Sequence, residues 1–345
     1  MNSVKRIVSI LFFVITTLLL AACGGGGGGG GVSAIPTAPA AGVTITPANA
    51  PLISSEVIGS VGIVQGFLQG VDLLPGVQVN VTGSDFNYAD FFLQQLQQLP
   101  ALALLSNDVS VAGVIIPPDT QACDFNQGTL TISGEVTDPN VLTVGDRITI
   151  KFYKCELAGI ILNGTVSMTI AEIQGDVINS TPPYTLGVDV VLTVFSVNDG
   201  GLVASANGDL SMLLSENLIN DENLVLSGKS LTAWSGGEVQ TLTNYNYDLT
   251  WEADGDYSIG LSGNLASTVI GGSVDFESTV SFSGNENLAE NPDTGILWMT
   301  TTADASQALL TAQADAVNVW IEVDTDGDGI YDAPIIMTWA ELEAL

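Results

Sequence analysis

The sequence predicts a mainly β protein with a small helical N-terminal part. Its strands form one large antiparallel meander sheet curled into a barrel or half-barrel. Three observations carry this. From about residue 128 to 323, short segments alternate apolar and polar residues with period two. Gly, Asn, Asp and Pro separate those segments, as hairpin turns require. Helix-like spacing of apolar residues is confined to the stretch before them. With 46% hydrophobic residues among 345, the chain can bury a core and is too apolar to be a disordered acidic polymer.

In chain order, residues 1–22 read as a cleaved export signal. Lys5 and Arg6 give a positive start, and 7–20 is an uncharged apolar run. That run is too short for a helical membrane crossing, which needs ~20 residues. It ends in Leu20-Ala21-Ala22-Cys23, which resembles the lipobox of bacterial lipoproteins. The resemblance implies cleavage before Cys23 and a diacylglycerol on its thiol, so the membrane becomes a partner through a lipid anchor. Two or three acyl chains such as palmitate hold a protein durably on a bilayer. Gly24 stands where similar lipoproteins carry an Asp for inner-membrane retention, which implies the outer membrane, in either leaflet.

Residues 23–50 read as a flexible tether. Positions 24–31 are unbroken glycine, followed by a Ser/Ala/Pro/Thr-rich stretch. A phosphate-cradling loop is excluded, because no Lys-Ser/Thr pair follows the glycines and no strand precedes them. Residues 51–122 are expected to be helical and to pack on the sheet. Ile53, Val57, Ile58, Val61, Ile63, Val64 and Phe67 recur at helical spacing in spite of Gly59, Gly62 and Gly66. A second helix is expected over 90–105, where Phe91, Phe92, Leu93, Leu96 and Leu99 sit among glutamines and Pro100 breaks the run.

Residues 123–323 make the β domain, with about a dozen strands. The clearest fall at 129–133, 147–152, 165–170, 184–195, 223–231, 239–251, 273–282 and 317–323. Ser, Thr and Asn fill most of the outward positions. Asn163-Gly164-Thr165-Val166-Ser167-Met168 is echoed by Asn207-Gly208-Asp209-Leu210-Ser211-Met212. Those Asn-Gly pairs are expected to supply the positive φ of tight hairpin turns.

Cys123 and Cys155 flank one expected hairpin, and in an exported chain such an isolated pair reads as a disulfide. A redox pair would be spaced Cys-x-x-Cys, and a thiolate metal site would need more ligands.

Charge and composition exclude several activities. Six basic residues stand against 38 acids, a formal net charge of -32, so a nucleic-acid partner is excluded by repulsion. Once 1–22 are removed, only Arg147, Lys151, Lys154 and Lys229 remain basic, so attachment to an anionic membrane needs the lipid. There is no histidine, which removes the commonest general base and the commonest imidazole ligand. A Ser-His-Asp triad is therefore out, and no spacing singles out a carboxylate pair for glycoside cleavage. No enzyme is indicated.

The sharpest chemical pattern closes the chain at 324–345: Asp324-Thr325-Asp326-Gly327-Asp328-Gly329-Ile330-Tyr331-Asp332. It resembles the Asp-x-Asp-x-Asp-Gly calcium loops of EF-hands, dockerins and thrombospondin type 3 repeats. The resemblance implies a structural calcium ion as cofactor, held by the carboxylates of Asp324, Asp326 and Asp328, the carbonyl of Ile330, and Asp332 in the ninth position. The twelfth position is Ile335 where an EF-hand has Glu, and the preceding residues read as strand, so the loop is closer to the dockerin and thrombospondin type.

Tyr245, Tyr247, Leu249 and Trp251 share one face of an expected strand. Exposed, that stripe could stack on sugars; buried, it is core, which is the plainer reading. Trp234, Trp298, Trp320 and Trp339 are scattered and read as core too. The expected function is that of a non-enzymatic envelope lipoprotein, structural or binding, with room for an apolar ligand in the concave sheet. The alternative is a surface carbohydrate-binding or adhesive module, or a glycosidase relative, using Tyr245, Tyr247 and Trp251.

Overall fold

The structure is a computed structural model that describes residues 36–69 and 109–345, apart from 111–112, 124–126, 139–140, 158, 178–180, 200–201, 219–220 and 290. Cys23, the glycine run and the helix expected over 90–105 lie outside the described residues.

Helix α1 spans Ala50–Gln69. The strands follow: β1 (Val109–Ser110), β2 (Gly113–Ala122), β3 (Thr129–Val136), β4 (Arg147–Leu157) and β5 (Ile160–Asp176). Next come β6 (Thr181–Asp199), β7 (Leu202–Glu216), β8 (Glu222–Ser235), β9 (Glu238–Trp251) and β10 (Asp256–Ser267). The series ends with β11 (Gly272–Asn285), β12 (Thr294–Thr300), β13 (Gln307–Ala312), β14 (Asn318–Asp324) and β15 (Ile335–Thr338), then α2 (Trp339–Glu343). All fifteen strands join one sheet in chain order, each antiparallel to the next. The expected mainly β meander is what forms.

Closure into a barrel does not occur. Among the described residues no pairing joins β1 to β15, so the sheet is open. A barrel needs two long matching edges, and the end strands here are the two shortest. Short end strands also blunt an edge against pairing with other chains.

Period two sets the two faces. In β4, Ile148, Ile150 and Phe152 turn inward; in β5, Val166, Met168 and Ile170 join them. The helical region expected to run to 122 ends earlier, because β2 already belongs to the sheet. Pro117 and Pro118 concealed that strand: neither has an N–H for the ladder, and the β2–β3 register slips between Ile116 and Asp119 to accommodate them. The expected tether also ends early. Val43 donates its N–H to Ser273 at 3.2 Å, Ser273 donates to the Ala41 carbonyl at 2.9 Å, and Ile45 is fully buried.

The two Asn-Gly pairs are not hairpin turns. Gly164 (φ 98°) lies inside β5 and Gly208 (φ 141°) inside β7, each at a register slip. Asn163 Oδ1 accepts the Lys154 N–H at 2.9 Å, and Asn207 Oδ1 accepts that of Val194 at 3.2 Å. Lys154, Val194 and Asn244 share the left-handed region, at φ 46°, 46° and 48°. These bulges run strand by strand from β4 to β10. Bulges bend strands and raise their twist, so the repeat marks where long strands bend.

Helix α1 lies on the inner face. Ile53 and Val57 are fully buried, as their spacing predicts. Glu56 accepts hydrogen bonds from Gln240 Nε2 (2.8 Å) on β9 and Ser267 Oγ (2.6 Å) on β10. Cys123 and Cys155 form the expected disulfide, Cα atoms 5.3 Å apart, tying the end of β2 to β4 across the β3–β4 hairpin.

Candidate metal centre and aromatic faces

Asp324 ends β14, opposite Gln307 of β13, and its side chain is fully buried. A buried carboxylate must be matched by donors. Its Oδ1 accepts the Gly327 N–H at 2.8 Å; its Oδ2 accepts Gln307 Nε2 at 2.8 Å and the Gly329 N–H at 2.9 Å. The chain wraps back tightly enough for this because Gly327 (φ 75°) and Gly329 (φ 84°) take left-handed conformations. The Gln307 amide, and after it the loop N–H groups, hold the Asp324 carboxyl below the usual carboxylate range against the opposing effect of burial.

The next two acids are exposed and make only local turns. Asp326 Oδ1 accepts the Asp328 N–H at 3.3 Å, and Asp328 Oδ1 accepts that of Ile330 at 2.8 Å. One ligand atom from each of Asp324, Asp326 and Asp328 lies within 4.8 Å of the others. The structure thus brings together three of the five expected ligands. Asp332 is exposed and outside this group, and its N–H donates to the Val323 carbonyl at 2.8 Å to close the loop. The Ile330 side chain faces solvent. Three close carboxylates offer an all-oxygen donor set, which suits a hard cation such as calcium, with water completing the shell.

A second acidic group went unnoticed in the sequence: Glu252, Asp254 and Asp256 in the β9–β10 turn also bring ligand atoms within 4.8 Å. The signal was there, since Glu252-Ala253-Asp254-Gly255-Asp256 repeats the alternate-acid spacing around a glycine. All three are exposed. Their turn is built by amides: Asn285 Nδ2 donates to Asp256 Oδ1 at 2.6 Å and Asn287 Nδ2 to the Asp254 carbonyl at 2.9 Å.

The expected aromatic stripe is interior. Tyr247 is fully buried and exchanges a 2.8 Å hydrogen bond with Ser60 of α1, and its ring stacks on Phe276 at 6.4 Å. Tyr245 donates to the Asp209 carbonyl at 2.7 Å. Burial pushes both phenols well above their ordinary range. Trp251 is half-buried against the same core. These three residues therefore offer no open ligand face.

Two other tryptophans depart from expectation. Trp298 and Trp320, expected in the core, are 38% and 40% exposed on the outer face. Leu297 and Met299 beside the first, and Val319 and Ile321 beside the second, take the inward positions. Trp339 alone of the C-terminal tryptophans is deeply buried, edge-on to Phe282 at 6.0 Å.

No family model matches this chain, and no curated protein or solved structure matches it either.

Proposed function

We propose that the chain is a non-enzymatic lipoprotein of the bacterial envelope, anchored by acyl chains on Cys23 to the outer membrane, with a β-rich body that serves as a structural or binding domain. The single observation that carries this reading is the buried Cys123–Cys155 disulfide, in which Cys155 has no exposed surface. Stable disulfides belong to oxidising compartments, which fits the export signal and lipobox at 1–23. In this reading the seam of bulges curls the open sheet into a half-barrel. Calcium sits at Asp324, Asp326 and Asp328 and fixes the β14–β15 connection, an ion drawn from an extracytoplasmic pool. The apolar concave side, where α1 does not cover it, is where an apolar ligand would lie.

Intact mass spectrometry of the protein extracted from membranes tests the anchor. A chain starting at Cys23 and carrying acyl mass is expected. A chain that retains 1–22 with an unmodified Cys23 overturns the reading. Organic extraction of the purified protein, followed by lipid mass spectrometry, tests for cargo on the concave side.

A further inference from the structure

We propose that the outer face of β11–β15 is a docking platform for a neutral linear glycan, built on the indoles of Trp298 and Trp320. The sheet register places them. Trp298, Leu309 and Glu322 are successive cross-strand partners, with Glu277 completing the row on β11. Trp320 lies in the adjoining row beside Ile336 of β15, which is 61% exposed. Two strand spacings and two residues of rise set the tryptophan Cα atoms roughly 12 Å apart, a span suited to a di- or trisaccharide unit. Large aromatic side chains are mostly kept from water, and an exposed apolar patch on one face marks an interaction surface.

The first indole is held in place. Trp298 Nε1 donates to Gln307 Oε1 at 2.8 Å, and Gln307 Nε2 donates to the buried Asp324 carboxylate at 2.8 Å. This chain of hydrogen bonds roots an exposed ring in a buried charge. A ring fixed beforehand loses less entropy when a ligand stacks on it.

Charge excludes anionic occupants. With a formal net charge of -32, the chain repels nucleic acids, anionic lipid headgroups and acidic polymers. A second copy would set Glu277 and Glu322 against themselves. A neutral glycan meets neither objection: the C–H faces of its rings cover the indoles, and its hydroxyls donate to the flanking carboxylates and the Gln307 amide. An open sheet face admits a chain that runs past both tryptophans, which favours a linear polymer. This platform uses none of Tyr245, Tyr247 and Trp251, and it rests on neither the lipid anchor nor a bound cation.

Sedimentation of the purified full chain with insoluble cellulose, chitin or starch granules, and titration with the matching hexaoses, tests the proposal. Retention on at least one polymer is expected, with a change in tryptophan fluorescence on titration. Trp298→Ala and Trp320→Ala should each weaken binding roughly tenfold, a loss of about 1.4 kcal/mol, and together abolish it. Both side chains face outward, so the variants should keep the wild-type disulfide and melting profile. Absence of binding to all three polymers overturns the proposal, as does binding that the double variant leaves intact. It is equally overturned if the double variant's only loss is of polylysine capture or of self-association in sedimentation.

Discussion

Two loops at opposite ends of the meander are each organised by a fully buried aspartate, and they differ in what surrounds it. Asp146, before β4, accepts the Thr137 N–H (2.7 Å), the Thr143 N–H (2.7 Å) and the Thr143 hydroxyl (2.9 Å). Asp324, after β14, accepts two loop N–H groups and the Gln307 amide. As hydrogen-bonding devices they are equivalent: a carboxylate gathers the donors that a tight loop leaves unpaired. In the first loop all three of those donors go to the one Asp146 carboxylate. Asp326 and Asp328 add like charge within 4.8 Å of Asp324 while bonding only the next turn of chain. The comparison teaches that loop closure does not explain the extra carboxylates at the C-terminal end. A cation does.

The two ends also differ in their fastening, covalent at β2–β4 and, on the proposed reading, electrostatic at β14–β15. The largest effect is expected from the covalent one. Replacing Cys123 and Cys155 by Ser opens a 32-residue separation and should lower stability by about 4 kcal/mol on the chain-entropy account. Denaturant titration with and without calcium should give the same loss in both conditions. A calcium-dependent loss would mean that the two fastenings are coupled and would break the contrast.

The aspartates come next. Asp146→Ala strands several donors and should cost about 1–3 kcal/mol, whether calcium or a chelator is present. Asp324→Asn keeps an acceptor for the loop but removes the charge. It should therefore abolish the rise in melting temperature that calcium is expected to give the native chain, as scanning calorimetry would read. If Asp324→Asn keeps the full calcium response, the C-terminal loop is only a second version of the Asp146 loop. The Glu252, Asp254 and Asp256 turn, which has no buried acid, supplies the control: Asp254→Asn should leave the calcium response unchanged.

Acid titration sharpens the same contrast. Because Asp324 is held below its ordinary value when folded, its contribution is complete above the unfolded carboxyl value of about 3.9 and disappears as pH falls through the folded one. Stability measured in chelator should be level near neutrality and fall below about pH 4. In Asp324→Asn the acid limb should flatten.

Much of this was legible in the sequence, for identifiable reasons. Stretches with strict alternation, such as Ile148 to Phe152 in β4 and Tyr245 to Leu249 in β9, declare their inward face residue by residue. Ile53 and Val57 mark the helix face that meets the sheet. The disulfide follows from an isolated cysteine pair behind an expected export signal. What stayed hidden has physical causes as well. In β12, Ile296, Leu297, Trp298 and Met299 are all apolar, so period two loses its phase and the outward tryptophan looks like core. In β14 the phase was readable, because Val319, Ile321 and Val323 facing inward force Trp320 outward. Asn-Gly pairs signal positive φ without saying whether the chain turns back or bulges, and only the neighbours Lys154 and Val194 decide it. Barrel closure depended on the lengths of the two end strands, and prolines masked β2.

The smallest effect is expected where β15 hands the chain to α2, and it separates the loop from the helix that follows it. A five-residue helix cannot stand on propensity. This one is held by a capping box in which the Glu341 N–H donates to Thr338 Oγ1 at 3.1 Å and Glu341 Oε2 accepts the Thr338 N–H at 2.8 Å. It is also held by Trp339 and Leu342, both buried. Thr338→Ala removes the side-chain acceptor and should cost about 1 kcal/mol in denaturant titration. The calcium shift should persist, because Thr338 touches none of Asp324, Asp326 and Asp328. A loss of that shift would mean that the cation organises the loop, β15 and the helix as one cooperative unit, and the electrostatic fastening would then extend to the last residues of the fold.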